Sequence, residues 1–134
     1  MERTRPVFKV LVGDDDEAIT EMLTTALKIR GFEVVCCYSG SQVAPLVESA
    51  RVDVVLLDLV MPGLSGLEAC KRLKANAETR DVPVVIMTSI TSDGELADGV
   101  WKRGTAADDF ISKPFDPFEV ADRLEKILAG RTPR

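Results

Sequence analysis

Residues Val54 to Gly63 read VVLLDLVMPG. Val54, Val55, Leu56 and Leu57 show none of the in–out alternation of a half-exposed strand, so they read as a strand covered on both faces. Such a strand belongs in a parallel sheet with helices packed on either side. It then delivers Asp58 at its carboxyl end, followed by a Pro-Gly loop. A carboxylate at the rim of a core is costly to desolvate, so its position asks for a chemical reason.

The rest of the chain repeats the pattern. Short runs rich in Val, Ile or Leu at Phe8–Gly13, Glu33–Cys37, Asp53–Leu57, Pro83–Met87 and Asp108–Ser112 read as strands. Helical spacing lies between them. Ile19, Met22, Leu23, Ala26 and Leu27 recur every three or four residues, with Gly31 as a stop. Val43, Leu46, Val47 and Ala50 form a second helix, with Pro45 in its first turn. Ser65-Gly66-Leu67-Glu68 is a capping box that opens a helix turning Leu67, Cys70 and Leu73 inward. Leu96 and Val100 mark a fourth helix, closed by Gly104. Asp116-Pro117-Phe118-Glu119 sets a cap, a first-turn proline and a capping glutamate in order, and the helix beyond buries Val120, Leu124, Ile127 and Leu128.

Strands alternating with helices predict an α/β protein, a five-stranded parallel sheet doubly wound as (βα)5 with right-handed crossovers. The expectation is one domain over residues 1–134. Its core runs from about residue 7 to about residue 129, and 130–134 is a frayed tail or the start of a linker. Ligands of such sheets bind outside the carboxyl ends of the strands, so function is sought there.

Composition narrows the classes. Of 134 residues, 46% are hydrophobic and 29% charged, as in ordinary globular domains. The longest apolar run falls short of a membrane span, and the start lacks the apolar stretch of a signal peptide. A net charge of −5 argues against nucleic-acid binding by this domain itself. With 3 cysteines (Cys36, Cys37 and Cys70), no metal-ligand spacing and 0 histidines, a zinc site is not expected. The cysteines read as core residues of a reducing cytoplasm. Without histidine there is no His-based acid–base or triad catalysis.

The strand ends collect one set of side chains: Asp14, Asp15 and Asp16 after the first, Asp58 after the third, Thr88 and Ser89 after the fourth, Lys113 after the fifth. If the first, third and fifth strands are neighbours, two or three carboxylates face one lysine beside a hydroxyl. Phosphoryl transfer to a carboxylate needs this set. Clustered aspartates suit a hard cation such as Mg²⁺. Cation and ammonium together neutralise a transferring phosphoryl group. An aspartate is already ionised at neutral pH and needs no base to become the nucleophile.

In these motifs the chain resembles the receiver domain of two-component response regulators, of the chemotaxis-regulator kind, from about Phe8 to Leu128. The matching stretches are Asp14-Asp15-Asp16, Leu56 to Gly63, Thr88-Ser89 and Asp109 to Phe115. The resemblance implies a flavodoxin-like strand order 2-1-3-4-5. It implies Asp58 as phosphoacceptor, Mg²⁺ held by Asp14, Asp15, Asp58 and the Val60 backbone carbonyl, and Lys113 paired with Asp58 and then its phosphate. Thr88 would bond a phosphate oxygen in the active state, Phe110 would be the aromatic switch, and the peptide before Pro114 would be cis.

It also implies partners: a sensor histidine kinase or phosphotransfer protein as donor, and an effector met through the face of helix four, strand five and helix five. A phosphorylation-dependent homodimer is a further expectation, with no membrane partner. Val60 and Ile90 would flank the phosphoryl group, and neither side chain can orient a water, so slow hydrolysis is expected.

Plainer readings exist for each residue. Asp16 reads as a helix cap rather than a ligand. Asp14, Asp15, Lys113 or Thr88 alone would be a cap, a surface lysine or a strand-end hydroxyl. Phe110 and Trp101 alone would be packing. Two other functions use the same residues: a Mg²⁺-dependent phosphatase with an aspartyl intermediate, which needs a second acid–base group, and a non-phosphorylated pseudo-receiver, which predicts missing site residues. Gly13 stands where the family usually has a branched residue, loosening the strand end or admitting a close neighbour. Ala106 replaces a usual glycine, and Ser65 replaces a usual aspartate while still serving as a cap.

Overall fold

The computed structural model describes residues 6–89 and 106–134. Five strands form one parallel sheet: β1 (Lys9–Gly13), β2 (Glu33–Cys37), β3 (Val54–Asp58), β4 (Val84–Ser89) and β5 (Asp109–Lys113), in the order β2-β1-β3-β4-β5. The helices are α1 (Glu17–Ile29), α2 (Val43–Ala50), α3 (Gly66–Ala75) and α4 (Pro117–Leu128), the last being the fifth helix of the sequence reading. The expected fourth helix, with Leu96, Val100, Trp101 and Gly104, lies outside the described residues, as does Ile90. Among the described residues, no helix is long and apolar enough to cross a membrane.

The sheet separates two cores. Val10, Val12, Val54, Leu56, Val85 and Met87 face α1 and α4, where Leu23, Leu27, Val120 and Leu124 meet them. Leu11, Val55, Leu57, Val84 and Ile86 face α2 and α3, against Val43, Val47, Cys70 and Leu73. The strands thus alternate between two buried faces, which is why their sequences read as unbroken apolar runs. Each fully buried Leu or Val contributes about 1.5–3 kcal/mol of transfer free energy.

Caps fall where the sequence places them. Asp16 accepts from the N–H groups of Ala18 and Ile19, Ser65 from Glu68, and Asp116 from Phe118. Several details differ. The carboxyl ends of β3, β4 and β5 run one or two residues further than hydropathy suggests, so Asp58, Ser89 and Lys113 are strand residues. Met22 is 40% exposed although it keeps helical spacing with the core. Leu67 and Ile127 are only half-buried, and Ala69 and Ala121 take the inward positions.

The tail is hydrogen-bonded to the body of the domain. Residues 130–134 fold back across the amino ends of the strands. The Arg134 N–H donates to buried Asp53 at 2.7 Å, and its guanidinium donates to the Val52 carbonyl at 2.8 Å. Arg131 donates to the Asp81 carbonyl at 3.2 Å.

Candidate functional site

β1 and β3 are neighbours, so their carboxyl ends bring Asp14 and Asp58 together. Asp14 continues the ladder beyond β1, its N–H donating to the Cys37 carbonyl at 3.2 Å. Its side chain is fully buried. One carboxylate oxygen accepts from the Asp16 N–H at 2.9 Å and the other from Lys113 Nζ at 3.0 Å. Asp15 is exposed and points to the same place: Asp14, Asp15 and Asp58 each offer an oxygen, all within 4.8 Å of one another. Asp16 is occupied as the α1 cap.

Lys113 is not beside Asp58 in the sheet. β5 pairs with β4, where Lys113 lies opposite Ser89, and β4 separates it from β3. The length of the lysine stem closes the gap, setting Nζ 3.4 Å from Asp58 Oδ1 as well as on Asp14. The Lys113–Pro114 peptide is cis.

The electrostatics follow from crowding. Burial first, and then the Asp14 charge, raise the Asp58 pKa; Lys113 and the Val60 N–H oppose them but do not win. Burial lowers the Lys113 pKa, yet hydrogen bonding and charge from Asp14, then Asp58, outweigh it and leave a net rise. Lys113 is therefore an ammonium at neutral pH, held between two carboxylates that repel each other. A cation in this cleft relieves that repulsion. The donor set is all carboxylate oxygen, with no thiolate or imidazole, which fits a hard divalent ion such as Mg²⁺.

Thr88 is 3% exposed, one residue beyond Met87, which pairs with Asp58. Its hydroxyl donates to the Ser89 carbonyl at 3.3 Å. Phe110 is half-buried against the α2/α3 core, and its carbonyl accepts from Arg123 at 3.2 Å. Val60 is 73% exposed at the mouth of the cleft. Sequence reasoning gave no role to Gly66 or Gly40. A Cβ on Gly66 would collide with the Asp58 carbonyl oxygen, and one on Gly40 with the Leu64 carbonyl. No side-chain pattern marks them: Gly40 meets the backbone of the loop after β3, and Gly66 meets the end of β3 itself.

A doubly wound parallel sheet of this order, with an acidic cleft and a lysine at its carboxyl edge, is the architecture of signalling receivers. The chain belongs to the response regulator receiver domain family, whose sequence model matches residues 10–125. It is 38% identical over 120 residues to the DNA-binding response regulator MtrA of Mycolicibacterium smegmatis, covering 90% of this chain and 50% of that protein. The chain thus spans about half the length of the curated relatives it matches.

The receiver domain of a Francisella response regulator superposes with a TM-score of 0.75 at 26% identity, covering 89% of this chain and 94% of that one. The receiver domain of the Pseudomonas aeruginosa sensor histidine kinase PA1611, which holds a coordinated magnesium ion, shares the fold with a TM-score of 0.78 at 24% identity, covering 89% and 95%.

Proposed function

We propose that this receiver domain is a phosphorylation switch in which Asp58 accepts a phosphoryl group from the phosphohistidine of a sensor kinase or phosphotransfer protein. The observation that carries this is the convergence of Asp14, Asp15 and Asp58 within 4.8 Å, with the Lys113 ammonium 3.0 Å from Asp14 and 3.4 Å from Asp58. A carboxylate oxygen of Asp58 attacks phosphorus, the phosphorus–nitrogen bond breaks, and the released imidazole takes up a proton. Asp14, Asp15, Asp58 and the Val60 carbonyl would hold Mg²⁺, which supplies neutralisation of the phosphoryl oxygens when bound.

Lys113 moves from carboxylate to phosphate without crossing solvent. The Thr88 hydroxyl exchanges its bond to the Ser89 carbonyl for a phosphate oxygen. Phe110, half-buried, turns inward, altering the face of β5 and α4 that an effector reads. Catalysis is confined to the domain's own phosphorylation and dephosphorylation. Effector, homodimer and cytoplasmic setting belong to the same proposal.

Incubation with Mg²⁺ and a small acyl phosphate is expected to add one phosphate, labile to hydroxylamine as an acyl phosphate is. No uptake, or uptake unaffected by chelation of the metal, would overturn the reading. Asp15→Asn is expected to raise the Mg²⁺ dissociation constant on the order of tenfold, by removing one charged ligand, while circular dichroism stays unchanged. Equal affinity would remove Asp15 from the metal site.

The phosphorylated state is expected to be long-lived, because Val60 offers an attacking water neither donor nor acceptor. Val60→Asn/Ile90→Glu is expected to shorten its half-life several-fold in Mg²⁺ buffer without kinase. An unchanged half-life removes these side chains as its cause.

A further inference from the structure

β1 ends on a position that lacks a side chain where the core expects one. Leu11 faces the α2/α3 core, and Gly13 follows two residues later on the same face. A Cβ at Gly13 would lie 2.8 Å from Leu57 Cδ2, 3.3 Å from Cys37 Sγ and 3.6 Å from Met61 Sδ. The space is filled by its neighbours, and Met61 arrives from the loop that follows Asp58. Met61 is 7% exposed, whereas Val60 just before it is 73% exposed.

That loop is tied on both sides of Val60. The Leu59 N–H donates to the Met87 carbonyl at 2.8 Å, and the Gly66 N–H to the Leu59 carbonyl at 2.9 Å. The Pro62 carbonyl accepts from the Gly40 N–H at 3.1 Å. Val60 itself is not held by burial of its side chain. Its carbonyl lies in the peptide plane shared with the Met61 nitrogen and Cα, so seating Met61 fixes where that oxygen points.

We infer that Met61 is a positioning residue for the metal site: docked in the space that Gly13 leaves on β1, it aims the Val60 carbonyl at the divalent cation. This rests on the receiver reading above. A thioether on a flexible stem suits an irregular gap between a leucine and a thiol. Gly13 and Met61 are then a matched pair. A branched residue at 13 presses first on Leu57 Cδ2 and Cys37 Sγ, and a truncated residue at 61 leaves a void into which those side chains can yield.

The test is Mg²⁺ titration calorimetry on wild type, Met61→Ala, Met61→Val, Met61→Leu, Gly13→Val and Gly13→Val/Met61→Ala. It is run well below each melting temperature, with urea unfolding alongside. Met61→Ala is expected to weaken Mg²⁺ about tenfold, the usual effect of losing support behind a ligand. Met61→Val, which tests the same point if the alanine variant does not fold, should fall between. Met61→Leu, close in volume, should stay within about twofold of wild type. Gly13→Val should weaken binding alone yet tighten it in the Met61→Ala background.

Lower stability of the truncated variants with unchanged Mg²⁺ affinity overturns the inference and leaves the receiver reading standing. A double variant no tighter than Met61→Ala overturns the pairing with Gly13. A wild type that binds no Mg²⁺ overturns the phosphorylation-switch reading and this inference with it.

Discussion

Asp58→Asn is expected to abolish phosphate uptake and, in chelator at neutral pH, to melt at a higher temperature than wild type. Loss of uptake follows if Asp58 is the nucleophile, as proposed, since an amide oxygen does not form a stable acyl phosphate under these conditions. The gain in stability follows from the crowding of the cleft. Burial and the Asp14 charge raise the folded-state pKa of Asp58 despite Lys113 at 3.4 Å.

A carboxyl whose folded pKa lies above its unfolded value contributes stability that is fully present below the unfolded pKa. That stability is lost as pH rises through the folded pKa. At neutral pH the ionised Asp58 therefore costs stability, and asparagine, a neutral isostere, removes the cost. The melting difference should be largest near neutrality and shrink on acidification. Lys113 keeps Asp14 at 3.0 Å in the variant, so its ammonium is not left unpaired. Saturating Mg²⁺ should raise the wild-type melting temperature more than that of the variant, because the variant offers one charged ligand fewer. Labelling of Asp58→Asn to the wild-type extent refutes the nucleophile assignment. A lower neutral-pH melting temperature refutes the crowding argument.

The central strands were legible because two buried faces leave no polar residue inside them: Val54 to Leu57 and Val84 to Met87 announce themselves. The strand ends were less so. Hydropathy stops at Leu57 and Ser112, whereas the backbone ladder continues through Asp58 and Lys113 because their polar side chains leave the core for the cleft. Convergence of Asp14, Asp58 and Lys113 was legible only through the parallel topology, which places all carboxyl ends on one edge.

The hydrogen bonds of the tail were not legible, because Gly130, Pro133 and two arginines have the composition of a linker. Its anchor is Asp53, 6% exposed, which bonds the Lys9 and Arg134 N–H groups at 2.7 Å each. Asp53 was read as the first residue of a strand, and a buried carboxylate in search of donors looks the same in sequence as an exposed one. At Gly13 the sequence marked a loosened strand end or a close approach without naming the neighbour, and Gly40 and Gly66 carried no mark. What Gly13 and Gly40 exclude is set by segments far away in the chain, and what Gly66 excludes is set by the end of β3.

Gly66 yields a large expected loss of stability. It opens α3 with an ordinary φ, so only room is at stake. On helix propensity alone, alanine should be better by about 1 kcal/mol. The packing reverses this. A Cβ would overlap the Asp58 carbonyl oxygen, lie 3.0 Å from the Asp58 carbonyl carbon and approach the Leu59 Cα to 3.2 Å. All are backbone atoms, which cannot rotate away as a side-chain tip can.

Either α3 must lift, breaking the Gly66-to-Leu59 hydrogen bond of 2.9 Å, or the end of β3 must shift. Overpacking against backbone costs about 1–3 kcal/mol, with the upper end expected here and more for Gly66→Val. Because the atoms displaced belong to Asp58 itself, Mg²⁺ affinity and phosphate uptake should fall together with stability. Gly31→Ala is the contrasting case. Its φ is +94° and nothing lies within 4 Å of an added Cβ, so it should cost about 1 kcal/mol through backbone strain and leave Mg²⁺ binding untouched. Urea unfolding and Mg²⁺ titration of the three variants separate the two mechanisms. A Gly66→Ala protein as stable as wild type would show that α3 has slack against β3, and that the position of Asp58 does not depend on it.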